Sequence, residues 1–360
     1  MCWRITSRHS AKNQKPWKVS GYRSTVSIPS RARNRTGTLL RLRPNPRLPL
    51  RRCPMRICSF LPSATEMIYA LGLQDQLYGI TFECDYPPEA QHKPKVVRSL
   101  FEHITPPLSS GEISQIIGQR LKDGLGIYEV AQDTLQAAEP DLLISQAICE
   151  VCAISAQQVA ESSRLLAKMP QVLSLNPQYV HDVLDDIRRV AAATNTTARG
   201  EEIVAGLQAR IDAVTARAAQ ARTRPRVLHL EWANPVMCGG HWVPEMVEMA
   251  GGVNCFGDKE TGSFRLDWDA VLASAPDLII LMLCGYNVQR SIEDLPLLAA
   301  QPGWDTLAAV RNKQIFAMDA GAYTSRSGPR LIQGLEMLAE ILHPELFTGC
   351  IPENGAARIA

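Results

Sequence analysis

Cys149-Glu-Val-Cys152 and Cys238-Gly-Gly-His241 are the residues of this chain whose types and spacing best suit a soft or borderline metal. Two cysteines at i, i+3 can chelate zinc or iron, and ligands from a facing element would complete a tetrahedral site. Cys149, Cys152, Cys238 and His241 are therefore the candidate metal ligands. Against them stands the plain reading of half-buried, inert cysteines. A thioredoxin-type redox pair is the weaker alternative, because it needs an exposed helix N-terminus to stabilise the thiolate. No Walker-type glycine loop and no nucleophile elbow occurs, and His103, His181, His229, His241 and His343 are dispersed. The chain reads as a protein that binds rather than one that catalyses, with no cofactor required.

A second pattern sets the architecture. Arg56-Ile-Cys-Ser-Phe-Leu-Pro-Ser-Ala-Thr-Glu66 leads into a helix ending at Gly72. Val227-Leu-His-Leu-Glu-Trp232 leads through Gly239-Gly-His-Trp-Val-Pro-Glu245 into a helix ending at Gly251-Gly252. Each is an apolar strand, a loop, then a helix with a glutamate in its first turn. Ser63-Ala-Thr-Glu66 matches a capping box with Ser63 as N-cap. Strands and helices alternate throughout, which predicts α/β with parallel sheets. Helices are expected at 128–138, ending before Pro140, and at 297–308. Residues 198–221 carry apolar residues at helical spacing and no proline, and predict one long helix between the two halves.

The predicted division is a basic arm over 1–54, a lobe over 55–195, the connecting helix at 196–224, a lobe over 225–345 and a loose tail over 346–360. The arm holds 14 of the 38 Lys and Arg and no acid, leaving 24 basic against 36 acidic residues in 55–360, a net −12. Such a body argues against a nucleic-acid groove. The arm reads as a disordered extension or as sequence preceding a true start at Met55. It contains no secretory signal and no run long enough to span a membrane, so the expected location is cytoplasmic as the sequence stands. A monomer is expected.

The motifs Phe60-Leu-Pro-Ser-Ala-Thr-Glu66, Thr81-Phe-Glu-Cys-Asp-Tyr-Pro-Pro-Glu-Ala90, Glu139-Pro-Asp-Leu-Leu-Ile144, Ala250-Gly-Gly-Val-Asn254 and Ala275-Pro-Asp-Leu-Ile-Ile280 occur in order. Over about residues 55–345 the chain resembles the binding-protein family of ABC importers for cobalamin and ferric siderophores, most closely its vitamin B12-binding branch. The resemblance implies two Rossmann-like lobes joined by a single long α-helix, the class III solute-binding fold. It also implies a ligand gripped between them, a periplasmic or membrane-associated setting, and a permease that docks on one glutamate per lobe. Glu66 and Glu245 occupy those places. Helix-dipole and capping roles are their alternative reading.

Loops after strand C-termini supply contacts in open α/β folds. They nominate Phe82, Asp85 and Tyr86 in the first lobe and Trp232, Trp242, Tyr323 and Arg326 in the second. Aromatic faces would cover a corrin plate, and Asp85 and Arg326 would bond its amides. Where the B12-binding branch carries two tryptophans, this chain has the region Ser99-Leu100-Phe101 and Gln146. The expected function is binding of a cobalamin-like corrinoid. The alternatives are a haem, siderophore or metal carrier using Cys149 and Cys152, or a cytosolic enzyme handling a corrinoid or a metal.

Overall fold

The computed structural model describes residues 54–101, 104, 108–146, 154, 156–257 and 262–359. Residues 1–53 of the basic arm, His103, Cys149 and Cys152 lie outside the described residues.

The first lobe runs β1 (Ile57–Ser59), α1 (Pro62–Ala70), β2 (Leu77–Thr81), β3 (Lys95–Ser99), α2 (Ser110–Lys122), β4 (Tyr128–Val130), α3 (Gln132–Ala138), β5 (Leu142–Gln146), α4 (Ala156–Arg164), β6 (Gln171–Leu175) and α5 (Val180–Ala193). Its sheet has the order β4-β3-β2-β1-β5-β6 and is parallel except where β4 runs antiparallel to β3. The connector α6 (Thr197–Ala218) follows.

The second lobe runs β7 (Arg226–Ala233), β8 (Val236–Cys238), α7 (Trp242–Met249), β9 (Val253–Asn254), β10 (Phe264–Arg265), α8 (Trp268–Ser274) and β11 (Leu278–Leu281). It continues through α9 (Val288–Glu293), α10 (Leu295–Ala299), α11 (Ala308–Arg311), β12 (Ile315–Met318), α12 (Ala320–Tyr323), α13 (Leu331–Leu342) and β13 (Ala356–Arg358). Its sheet has the order β10-β8-β7-β11-β12-β13, with β9 beside the start of β7. Leu278-Ile-Ile-Leu281 is buried throughout, as a central strand covered by helices on both faces must be.

Four local expectations are corrected. Helix α1 begins at Pro62, whose fixed φ and missing N–H suit the first position, and Leu61 is the N-cap. Ser63 therefore sits inside the first turn and forms no capping box, which leaves Glu66 free for a distant partner. The helix expected at 128–138 splits: Tyr128 and Val130 alternate with exposed Glu129 and join the sheet edge as β4, and α3 starts at Gln132. The helix expected at 297–308 is broken at Pro302-Gly303, where Gly303 takes φ +73°. The tail is not loose, because β13 pairs antiparallel with β12 and Phe347 is buried.

Helix α6 has 22 residues, which gives a length of roughly 33 Å. Its Val204, Leu207, Ile211 and Val214 join one continuous apolar cluster with α1, α5, α7 and α13. Arg210 on α6 donates to both carboxylate oxygens of Glu336 on α13, at 2.8 and 2.7 Å. The connector is thus a packed spine fused to both lobes, not a bare rod.

Candidate functional site

The C-terminal ends of the central strands face one another across a cleft of about 490 Å3. Phe82, Glu83 and Asp85 reach it from the loop after β2, and Ser99, Phe101 and Gln146 from the ends of β3 and β5. The second lobe supplies Trp232 from β7, Cys284 and Tyr286 from beyond β11, and Ser325, Arg326 and Ser327 between α12 and α13. Each lobe contributes an aromatic pair. Phe82 and Tyr128 have ring centroids 5.9 Å apart, and Trp232 and Tyr286 are 5.2 Å apart. Both separations fall in the range for favourable tilted contact.

Trp232 is held in place by the opposite lobe. Its indole N–H donates to Ser114 Oγ at 2.8 Å and to the Asn234 carbonyl at 3.0 Å, and Ser114 lies on α2. Ile117 and Ile127 of the first lobe pack with Trp232 and Met237 of the second, so α2 forms one wall of the cleft.

The charged groups of the lining are Glu83, Asp85 and Arg326. The Arg326 guanidinium donates to both Asp85 oxygens, to Oδ2 at 3.1 Å, and to the Glu83 carbonyl at 2.9 Å. Behind it, Arg330 donates to Glu66 Oε1 at 2.7 Å and lies 4.1 Å from the centroid of the Tyr86 ring. Burial pushes the Glu83 carboxyl up to about 7, against the pull of Arg326 and with a further push from Asp85. Burial likewise raises Glu66, opposed by Arg330.

Four of the residues nominated from the sequence line this cleft, namely Phe82, Asp85, Trp232 and Arg326. Three do not. Tyr86 is 45% exposed and lies under Arg330 on the outside. Trp242 is buried in the central cluster and donates to the Thr324 carbonyl at 2.8 Å. Tyr323 packs on the same cluster. An aromatic in the first turn of α7 or at the end of α12 is drawn into that core, not into the cleft.

Docking at Glu66 and Glu245 needs carboxylates open to a partner; Glu66 is buried, and Glu245 is half-buried with one oxygen taken. The Glu66 side chain is 3% exposed. Glu245 Oε2 accepts the Val180 N–H at 2.8 Å, the first amide of α5 in the opposite lobe. Of the four candidate metal ligands, Cys149 and Cys152 lie outside the described residues, and Cys238 and His241 engage separate partners. Cys238 Sγ points into its own lobe, 3.4 Å from the Phe256 carbonyl and 3.7 Å from His229 Nε2. Burial takes its thiol well above the usual value and His229 down to about 4, so both stay neutral. His241 Nδ1 lies 3.0 Å from Gln178 Oε1 across the lobes. No cluster of three or more His, Cys, Asp or Glu fit to hold a metal occurs among the described residues.

Glu83, Tyr128 and Tyr286 were missed by sequence reasoning. Tyr286 follows a strand end and the same loop rule could have found it. Tyr128 was hidden by the helical reading of its segment.

Two α/β lobes, a single connecting helix and a cleft between them define a class III solute-binding protein. Residues 57–322 match the model of the family described as periplasmic binding protein, and the chain belongs to that family. The chain is 23% identical to the uncharacterized ABC transporter substrate-binding lipoprotein YvrC of Bacillus subtilis, over 82% of each chain. It is 23% identical to the vitamin B12-binding protein of Vibrio cholerae, over 80% of this chain and 88% of that one. The periplasmic heme-binding protein RhuT from Roseiflexus sp. RS-1 in apo form superposes with a TM-score of 0.62 at 23% identity, over 81% and 99% of the two chains. The family comprises solute-binding components of importers and not enzymes. A cytoplasmic location finds no support in this setting, since the family is periplasmic and the Bacillus relative is a lipoprotein. No helix among the described residues is long and apolar enough to cross a membrane.

Proposed function

We propose that the protein captures a cobalamin-like corrinoid in the inter-lobe cleft and delivers it to an ABC permease. The observation that carries this reading is the combination of aromatic walls with a spent cation. Trp232 and Tyr286 face Phe82 and Tyr128, and Arg326, the cationic side chain among the described lining residues, is already bound to Asp85. A haem or a carboxylate siderophore brings anionic groups that want an uncommitted arginine or lysine. A corrin brings a broad apolar plate fringed by amides, which Ser325, Ser327, Gln146 and Asp85 can meet without a net charge. Similarity to vitamin B12-binding proteins supports the same reading. Because both glutamates are committed to the opposite lobe, the permease would read another part of the rims.

Titrating the full chain with cyanocobalamin and, separately, with haem tests the assignment by difference absorbance. Saturable cyanocobalamin binding, tighter than haem by tenfold or more, is the expected outcome. Haem binding with no affinity for any corrinoid would overturn it.

A further inference from the structure

Glu83 lines the cleft, and its carboxyl takes no part in the hydrogen bonds between Arg326 and Asp85. It lies between Phe82 and Asp85 in the loop after β2, and keeps part of its surface on the cleft. Its backbone is fixed at both ends: its N–H donates to Thr81 Oγ1 at 3.1 Å and its carbonyl accepts from Arg326 at 2.9 Å. Its carboxyl oxygens accept no hydrogen bond from the described residues, whereas neighbouring Asp85 takes the Arg326 guanidinium with both of its oxygens. A carboxyl held rigidly by its main chain, left unpaired and aimed at a ligand cleft is a group awaiting a ligand atom.

Resting on the corrinoid reading above, we infer that Glu83 determines specificity: its carboxyl receives an amide of the ligand's fringe and rejects ligands fringed with carboxylates. The chemistry is one of matching states. An ionised carboxyl only accepts, and a neutral one also donates. An amide carries both an N–H and a C=O and satisfies either form. A ligand carboxylate only accepts, so it is tolerated by the neutral form alone and is repelled by the ionised one.

The surroundings place this choice near neutrality. Arg326, from the loop before α13, favours the ionised form, and Asp85, on the β2 loop with Glu83, opposes it, while burial raises the carboxyl to about 7. Tyr128 of β4 and Tyr286 and Cys284 from beyond β11 are the other titratable residues of the described lining, and Glu66 and Arg330 pair with each other behind Arg326. The sign follows. Below pH 7 the neutral carboxyl admits either fringe. Above it the carboxylate excludes the anionic one, so affinity for a carboxylate-fringed ligand falls about tenfold from pH 6 to pH 8. Amide-fringed affinity stays flat.

The test measures Kd at pH 6 and pH 8 for two matched pairs on the full chain. One pair is cobinamide, with an amide fringe, and cobyrinic acid, with carboxylates. The other is haem dimethyl ester and haem. In the native protein the carboxylate member of whichever pair binds weakens with pH and its neutral partner does not. Glu83→Gln abolishes the slope and brings the carboxylate member to within threefold of its partner at pH 8, and Glu83→Asp retains the slope. Should neither corrinoid bind, the corrinoid reading fails and the haem pair still decides the role of Glu83. An unchanged slope in Glu83→Gln overturns the inference, and so does a cleft that takes none of the four.

Discussion

Glu66 shows how a residue type legible in the sequence acquires a different job from its surroundings. Its carboxylate is buried, one oxygen takes Arg330, and Oε2 has no hydrogen-bond partner among the described residues. Removing one member of such a pair strands the other, whose guanidinium is itself only 15% exposed. Glu66→Ala should lower unfolding stability by about 3 kcal/mol, and Glu66→Gln, which keeps an acceptor, by less than half of that. Urea denaturation checks both values, and equal losses for the two variants would show that the neutral acceptor kept by Gln contributes nothing. Phe82, Asp85, Trp232 and Arg326 were legible because loops after parallel strands converge on one rim. Glu83 was not, because nothing in a run of Phe-Glu-Cys-Asp separates the carboxylate that spends itself on an arginine from the one left open. That distinction depends on where Arg326 arrives from 241 residues away.

At the scale of elements, alternation and spacing located the central strands and α6 well, since both depend on long, one-sided apolar patterns. The failures were short segments decided by tertiary partners. Tyr128–Val130 becomes a strand because β3 offers a free edge, and Ala356–Arg358 because β12 does. Helix α6 makes a sharper claim. Gly200 lets it approach α5 so closely that a Cβ there would lie 2.4 Å from the Ala191 Cβ. In an isolated helix Gly→Ala gains about 1 kcal/mol. Here the overlap reverses the sign, and Gly200→Ala should destabilise the protein by about 1–3 kcal/mol. Thermal denaturation measures this directly, and a melting temperature equal to or above that of the parent would refute the close packing of spine on lobe.

For the whole molecule, the two glutamates that the repeat places in equivalent helices act as a matched pair of clasps. The first helix of each lobe sends its glutamate to the start of the other lobe's last helix, Glu66 to Arg330 before α13 and Glu245 to Val180 at the start of α5. The α5 amide so engaged is one of the donors that a helix start leaves without an internal partner, and a carboxylate there also meets the positive end of the helix dipole. Together with the apolar cluster that runs unbroken through α6, the clasps hold the rims at a fixed separation, so a ligand meets a cleft already shaped for it. Hydrogen exchange at a single amide reads this out. Glu245→Ala should speed exchange of the Val180 N–H by about tenfold while amides of the β11 core keep their protection. Glu245→Gln, which preserves an acceptor, should lose much less. Uniform loss of protection across both lobes would instead mean that Glu245 supports global stability, and no local change at Val180 would mean that the lobes are held by the spine alone.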